Sequence, residues 1–309
     1  MKDITAASTT LTLPHSPYRI YSADEALEQE QQTQKWTVYP DETDQVLLAS
    51  VNRFLISTSL LLFGICQHTG LAISRDALGS RLKKLFNGGL LVRFHFASSS
   101  MDAASATRVY ALSETGREYL RRIGAKIRLS GYIEKLDVPS VKRLLASQAF
   151  LLSQRDWSIS DVSAAAMVAE RSDVDAKANG HLFRTNLMLR SAADAVWFID
   201  AVRRTPDGES DLIRKLKRVD DTVACNNLNI SLAGKRPKVI LVAEDPTHMT
   251  SLMRAVKKLR RPFRYDIVFT NDYDVYSSSG NADDCMYSIE LESSSFLEHF
   301  RSELKRLVG

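Results

Sequence analysis

Residues 74–112 change periodicity twice within forty residues, and that change restricts the fold more than any other feature of the chain. Ser74 is a good N-cap, because its hydroxyl can accept from a free amide of the first turn. After it, Leu78, Leu82, Leu85 and Phe86 recur at helical spacing and form one apolar stripe. Asp76, Ser80, Lys83, Lys84 and Asn87 fall on or near the opposite face, with Arg81 flanking it. Asn87, Gly88 and Gly89 then supply the backbone freedom that stops a helix and reverses the chain. The period drops to two in Leu90–Phe96, where Val92, Phe94 and Phe96 share one side and Arg93 and His95 the other. A second strand is predicted over Thr107–Leu112. The intervening Ala97–Ala106 is small and polar, suited to a hairpin tip. Helix, hairpin and polar tip in this order form the pattern of a winged helix, and the tip is its wing.

The flanking segments extend the pattern. Asp41–Arg53 reads as a first helix, and Ser57 as the opening of a second, through Leu60–Cys66, apolar nearly all round and therefore central. Ser113 caps a closing helix to Arg122, with Tyr119 and Leu120 turned inward and its arginines in water. Charge is distributed unevenly. Residues 50–126 carry eleven Lys or Arg against four Asp or Glu, a net +7, whereas residues 1–49 carry a net −5, hidden within a total of +4. Duplex binding draws much of its affinity from neutralised phosphates, so a local cationic excess is what such a role requires. The plainer alternative is a set of solvated helix faces.

At 309 residues the chain has room for two domains. We expect an arm at 1–40, a winged-helix domain at 41–126 and an α/β domain at 127–309. No apolar run reaches the roughly 18 residues needed to span a bilayer, and the amino end lacks a secretory pattern, so a cytoplasmic location is expected. Cys66, Cys225 and Cys285 are odd in number and far apart, which favours reduced thiols. His15, His68, His95, His181, His248 and His299 show no paired spacing, and neither a structural metal nor a cofactor is expected. In the arm, Thr10–Pro14 reads as an edge strand and Ala23–Gln34 as a Glu- and Gln-rich helix; a loose tail is the alternative.

In the second half, Pro139–Leu152 and Val162–Arg171 read as helices, and Asn186–Arg190 and Ala195–Val202 as strands. A helix over Asp211–Ala224 follows. Pro237–Glu244 is a continuous apolar run like a buried parallel strand, joined through a helix at His248–Leu259 to a strand at Tyr265–Thr270. Another strand at Met286–Leu291 and a helix from Ser293 close the chain. The fold class expected is therefore α+β or α/β: a winged helix followed by a small mixed sheet flanked by helices. Ala243–His248 lies where α/β proteins often bind ligands, although a charged turn capping the next helix through Asp245 or Thr247 explains it more simply.

Three segments carry a family resemblance: Phe54-Leu55-Ile56-Ser57 before the apolar helix, Arg81–Leu85 before Gly89–Arg93, and Val109–Gly116. Over roughly residues 45–125 they resemble the winged helix of the replication-relaxation proteins of plasmids and integrative conjugative elements. The second half looks like a restriction-endonuclease-like scaffold in element order alone. That likeness raises a metal-dependent nuclease, with Asp194, Asp200 and Glu209 as candidate carboxylates. Asp200, however, is followed by Ala201-Val202-Arg203 where the pattern wants a lysine after one spacer, and we expect a non-catalytic scaffold.

The resulting expectation is a sequence-specific binder of double-stranded DNA from a mobile element, an accessory factor at a transfer or replication origin; a transcriptional regulator is the alternative. Ser80, Lys83, Lys84 and Asn87 would face the major groove, with the flanking Arg81 as a further DNA contact. Arg75, Arg93, His95 and Arg108 would hold phosphates or let the wing reach the adjacent minor groove. The α/β half would supply a homodimer contact or, as the resemblance implies, recruit a partner such as a relaxase.

Overall fold

The computed structural model describes residues 18–19, 25–32, 37–97, 107–127, 137–154, 157, 162–164, 167–168, 183–190, 196–224, 236–259, 263–277 and 286–288. The chain is an α+β protein. Among the described residues, no helix is long and apolar enough to cross a membrane. The segments expected at Thr10–Pro14 and beyond Ser293, the wing tip at 98–106, and Asp194, Cys225 and Cys285 lie outside the described residues.

The first half begins with strand β1 (Ala26–Gln29), then helix α1 (Glu42–Phe54), strand β2 (Ile56–Thr58), and helices α2 (Ser59–His68) and α3 (Arg75–Asn87). Strands β3 (Leu91–Ala97) and β4 (Arg108–Leu112) form the hairpin, and α4 (Glu114–Arg122) follows. The four strands make one antiparallel sheet in the order β1-β3-β4-β2. Two caps act as the sequence indicates: Ser74 accepts from the amide of Ala77 and Ser113 from that of Gly116; Asp41, read as the first helical residue, is itself the cap of α1 and accepts from the amide of Asp44. The stripe Leu78, Leu82, Leu85 and Phe86 is buried.

Three local expectations are overturned. Within Ala23–Gln34 the described residues, 25–32, form no helix; they hold β1, paired antiparallel with β3 so that Leu27 lies opposite Phe96 and Gln29 opposite Phe94. A single apolar residue, Leu27, gives a helix no stripe to bury, whereas the free edge of β3 offers hydrogen bonds to a strand. Ser57 does not open α2. It belongs to β2, opposite Tyr110, and the cap is Thr58, whose hydroxyl accepts from the amide of Leu61 at 3.2 Å. Within Val162–Arg171, the described residues form strands β5 (Val162–Ala164) and β6 (Met167–Val168). Alanine favours a helix there, but the sheet edge captures β5 and buries Val162 completely. Arg117 also departs from expectation: it is 8% exposed, ion-paired with Glu114 at 2.7 Å and hydrogen-bonded to the carbonyl of Leu112.

In the second half, α5 (Val138–Ser153), β7 (Phe183–Arg184), β8 (Leu187–Arg190), β9 (Val196–Ala201), α6 (Gly208–Ala224), β10 (Lys238–Ala243), α7 (Pro246–Lys257), β11 (Asp266–Asn271), α8 (Asp272–Ser277) and β12 (Tyr287–Ser288) follow in turn. A six-stranded sheet has the order β12-β11-β10-β9-β8-β5, with β9, β10 and β11 parallel and the other pairings antiparallel. Strands β6 and β7 form a separate ribbon. The central strands are covered on both faces, which accounts for their continuous apolar runs. Val239, Leu241 and Ala243 pack with Leu212, Leu216 and Leu252 of α6 and α7. Ile240 and Val242 join Leu144 and Leu145 of α5 on the other side.

Helix α5 also reaches the first half. Ser57 donates to Gln148 Oε1 at 3.0 Å, and Gln148 Nε2 donates to the carbonyl of Ile56 at 2.6 Å. One apolar cluster consequently runs from α1, α2 and α3 through α5 to the inner face of the six-stranded sheet. The arm is fixed to this body: Tyr18 is 3% exposed, and Lys142 of α5, itself 1% exposed, pairs with Glu25 at 2.6 Å. Burial lowers the Lys142 pKa, a tendency that the Glu25 carboxylate opposes.

Candidate nucleic-acid interface

Helix α3 is oriented by its leucines. With Leu78, Leu82 and Leu85 in the core, Arg75, Asp76, Ala77, Gly79, Ser80 and Lys83 are left exposed along the other face. Gly88 ends the helix and Gly89, at φ 72°, turns the chain into β3. The Arg75 guanidinium stands 5.2 Å from the centre of the Phe63 ring, which steadies the cation without neutralising it. Among the described residues, Lys83 has no ion pair.

The other cations expected at a groove are occupied. Arg81 pairs with Asp41 at 2.7 Å and Asp44 at 2.9 Å, and Lys84 with Asp44 at 2.7 Å. Asp44 is fully buried and closes a capping box at the start of α1 with Asp41. The hydrogen bond from Arg81 holds the Asp41 carboxyl below the usual carboxylate range, and the same contact raises the Arg81 pKa. These two cations therefore lash α3 to α1. Asn87, expected on the outer face, is 5% exposed: it lies in the last turn, where the chain folds back against the hairpin.

Arg93, His95 and Arg108 share one face of the hairpin, since His95 lies opposite Arg108 in the β3–β4 register. Each meets a carboxylate from the arm. Glu30 pairs with Arg93 and, at 3.2 Å, with Arg108; Glu28 lies 3.5 Å from His95. Arg93 also stands over the Phe86 ring at 4.3 Å. The sequence reading did not assign Glu28 and Glu30. Their signal was the spacing of two, which places both on one side of a strand.

Elsewhere, Asp200 is 3% exposed; its carboxylate accepts from the amide of Asn186 at 2.8 Å and pairs with Lys215 at 2.5 Å. A cavity of about 90 Å³ beside this pair is also lined by Arg143 and Asp211. Glu209 accepts from the Ser251 hydroxyl on α7 and does not join Asp200. Among the described residues, no group of three or more His, Cys, Asp or Glu is placed to hold a metal ion. Asp245 caps α7, accepting from the amide of His248 at 2.8 Å, and pairs with Arg204.

His248 is 8% exposed, and its Nδ1 accepts from the amide of Glu244 at 3.3 Å, which requires the neutral ring at that nitrogen. Burial, and then the charges of Arg204 and Arg203, push its pKa down to about 4. The unfolded chain takes up a proton at the ordinary value near 6.5. The contribution of the neutral ring is thus complete above about pH 6.5 and is lost as the pH falls toward 4, by about 3 kcal/mol. His248→Gln is expected to remove that part of the pH dependence, measured as the difference in unfolding free energy between neutral and acidic buffer. Equal pH dependence in the two proteins would place the proton uptake elsewhere.

No family model, no curated protein and no solved structure matches this chain.

Proposed function

We propose that the protein binds double-stranded DNA, with α3 as the reading helix of a winged helix and Arg75, Ser80 and Lys83 as its first contacts. The observation that carries this reading is the outward face of α3: two cations and a hydroxyl exposed along a helix whose leucines and whose Arg81 and Lys84 fix it rigidly to the body. A helix presented in this way fits the major groove, where lysine reads guanine edges or holds phosphates. The resemblance to replication-relaxation proteins supports an accessory role at a transfer or replication origin. On this reading the helices and mixed sheet of the second half serve a second copy or a relaxase.

Replacing Arg75 and Lys83 together by Ala is expected to weaken binding to a labelled mixed-sequence duplex. If both cations neutralise phosphates, the slope of log K against log salt becomes shallower by about two, so affinity falls by about tenfold less between roughly 50 and 200 mM salt. Unchanged affinity and slope, with folding intact, would move the interface off α3.

A further inference from the structure

We infer that β1 and the residue after it are a built-in competitor for the nucleic-acid backbone: Glu28 and Glu30 occupy the positions on Arg93, His95 and Arg108 that phosphates would take, holding the hairpin face out of the interface. This inference rests on the duplex-binding reading and adds a form of regulation to it.

The complementarity is local and stereochemical. Antiparallel pairing sets Glu28 opposite His95, and the amide of Glu30 donates to the carbonyl of Arg93 at 2.8 Å, so both carboxylates reach the cationic side of β3. Glu30 bridges Arg93 and Arg108 across two strands, as a single phosphate between two guanidinium groups would. The Arg93–Glu30 pair is also protected: its side chains are 19% and 20% exposed, so water and salt weaken it less than they weaken the pairs on open helix faces, whereas Glu28 and Arg108 stand half in solvent.

The strap is held loosely where it masks and firmly where it is anchored. Of the four residues in β1 only Leu27 is half-buried, while Ala26, Glu28 and Gln29 are exposed on an edge strand. On either side, the buried Glu25–Lys142 pair and a hydrogen bond from Gln32 to the carbonyl of Phe86, at 2.7 Å, fix the arm to the body. Such tethering keeps the carboxylates at millimolar or higher effective concentration next to their cations. A polyanion must outcompete them; a weakly bound one reaches only α3.

The test uses the full chain with Glu28→Gln and Glu30→Gln combined, which removes two charges and preserves shape. Binding to a labelled mixed-sequence duplex is measured across a salt series beside the wild type. The expected result is affinity about tenfold tighter near 0.1 M salt and a slope steeper by about two, as Arg93 and Arg108 become available to phosphates. A control with Glu42→Gln and Glu118→Gln, equal in charge but on exposed positions of α1 and α4, should stay within about twofold of wild type. If the wild type binds and the strap variant binds equally or more weakly, or if the control gains as much, the competitor role is overturned while duplex binding stands. If neither wild type nor strap variant binds duplex at low salt, the reading beneath the inference falls with it. Thermal unfolding of each variant separates these outcomes from loss of fold, and a Glu30→Gln single variant, which alone releases both Arg93 and Arg108, should give most of the slope change of about two.

Discussion

Gly116→Ala is expected to destabilise the protein by about 3 kcal/mol, at the upper end of what overpacking costs, although alanine is the better helix former. Gly116 lies in the first turn of α4, and a Cβ added there would stand 2.0 Å from the carbonyl oxygen of Leu90. No side-chain rotation relieves a contact with backbone. The same carbonyl accepts from the amide of Ser113, and the Ser113 hydroxyl donates to the carbonyl of Gly89, so helix start and strand start are locked together. Movement of α4 would therefore break its own cap. Gly79 provides the opposite case. It is exposed in the middle of α3 with nothing within 4 Å of an added Cβ, and Gly79→Ala should stabilise by about 0.5–1 kcal/mol. Urea unfolding of the two variants should give shifts of opposite sign; a neutral or stabilising Gly116→Ala would mean that α4 and β3 are less closely packed.

Periodic elements could be read directly from residues. The leucine stripe of α3, the N-caps at Ser74 and Ser113, and the β10–α7–β11 crossover depend on patterns only a few residues long, and the structure reproduces them. The misread segments were decided by distant partners. Strand β5 exists because β8 offers an edge, and β1 because β3 does. Neither partner can be inferred from an Ala-rich or a Glu-rich stretch taken alone.

Charge was harder to read than periodicity. A helical projection places Lys84 toward solvent as plainly as Lys83, with Arg81 flanking that face, yet Asp44, about forty residues earlier, takes both. The net +7 of residues 50–126 therefore overstates the cations available to a partner. Much of that charge is spent within the fold, joining α3 to α1 and the arm to the hairpin. What remains open on α3 is narrower than the sequence suggests, and also more rigidly held.

Buried charge leads to the second large effect, Asp272→Ala, which is expected to cost about 3–5 kcal/mol. Arg203 follows β9 and is fully buried; it pairs with Asp272, 2% exposed, at 3.1 Å and donates to the Val202 carbonyl at 3.3 Å, while its Nε has no partner among the described residues. Removing the carboxylate leaves a buried guanidinium that cannot be deprotonated at any ordinary pH. The penalty is then the desolvation of a lone charge, several times the worth of an exposed pair. Adding Arg203→Met to Asp272→Ala removes that charge and should recover most of the loss, since apolar replacement of a buried pair is often neutral. The check is the urea midpoint of the single and double variants at unchanged m value. A single variant within about 1 kcal/mol of wild type would show that Arg203 finds water or another acceptor, and a double variant no better than the single would show that Asp272 acts chiefly by starting α8 rather than by balancing Arg203.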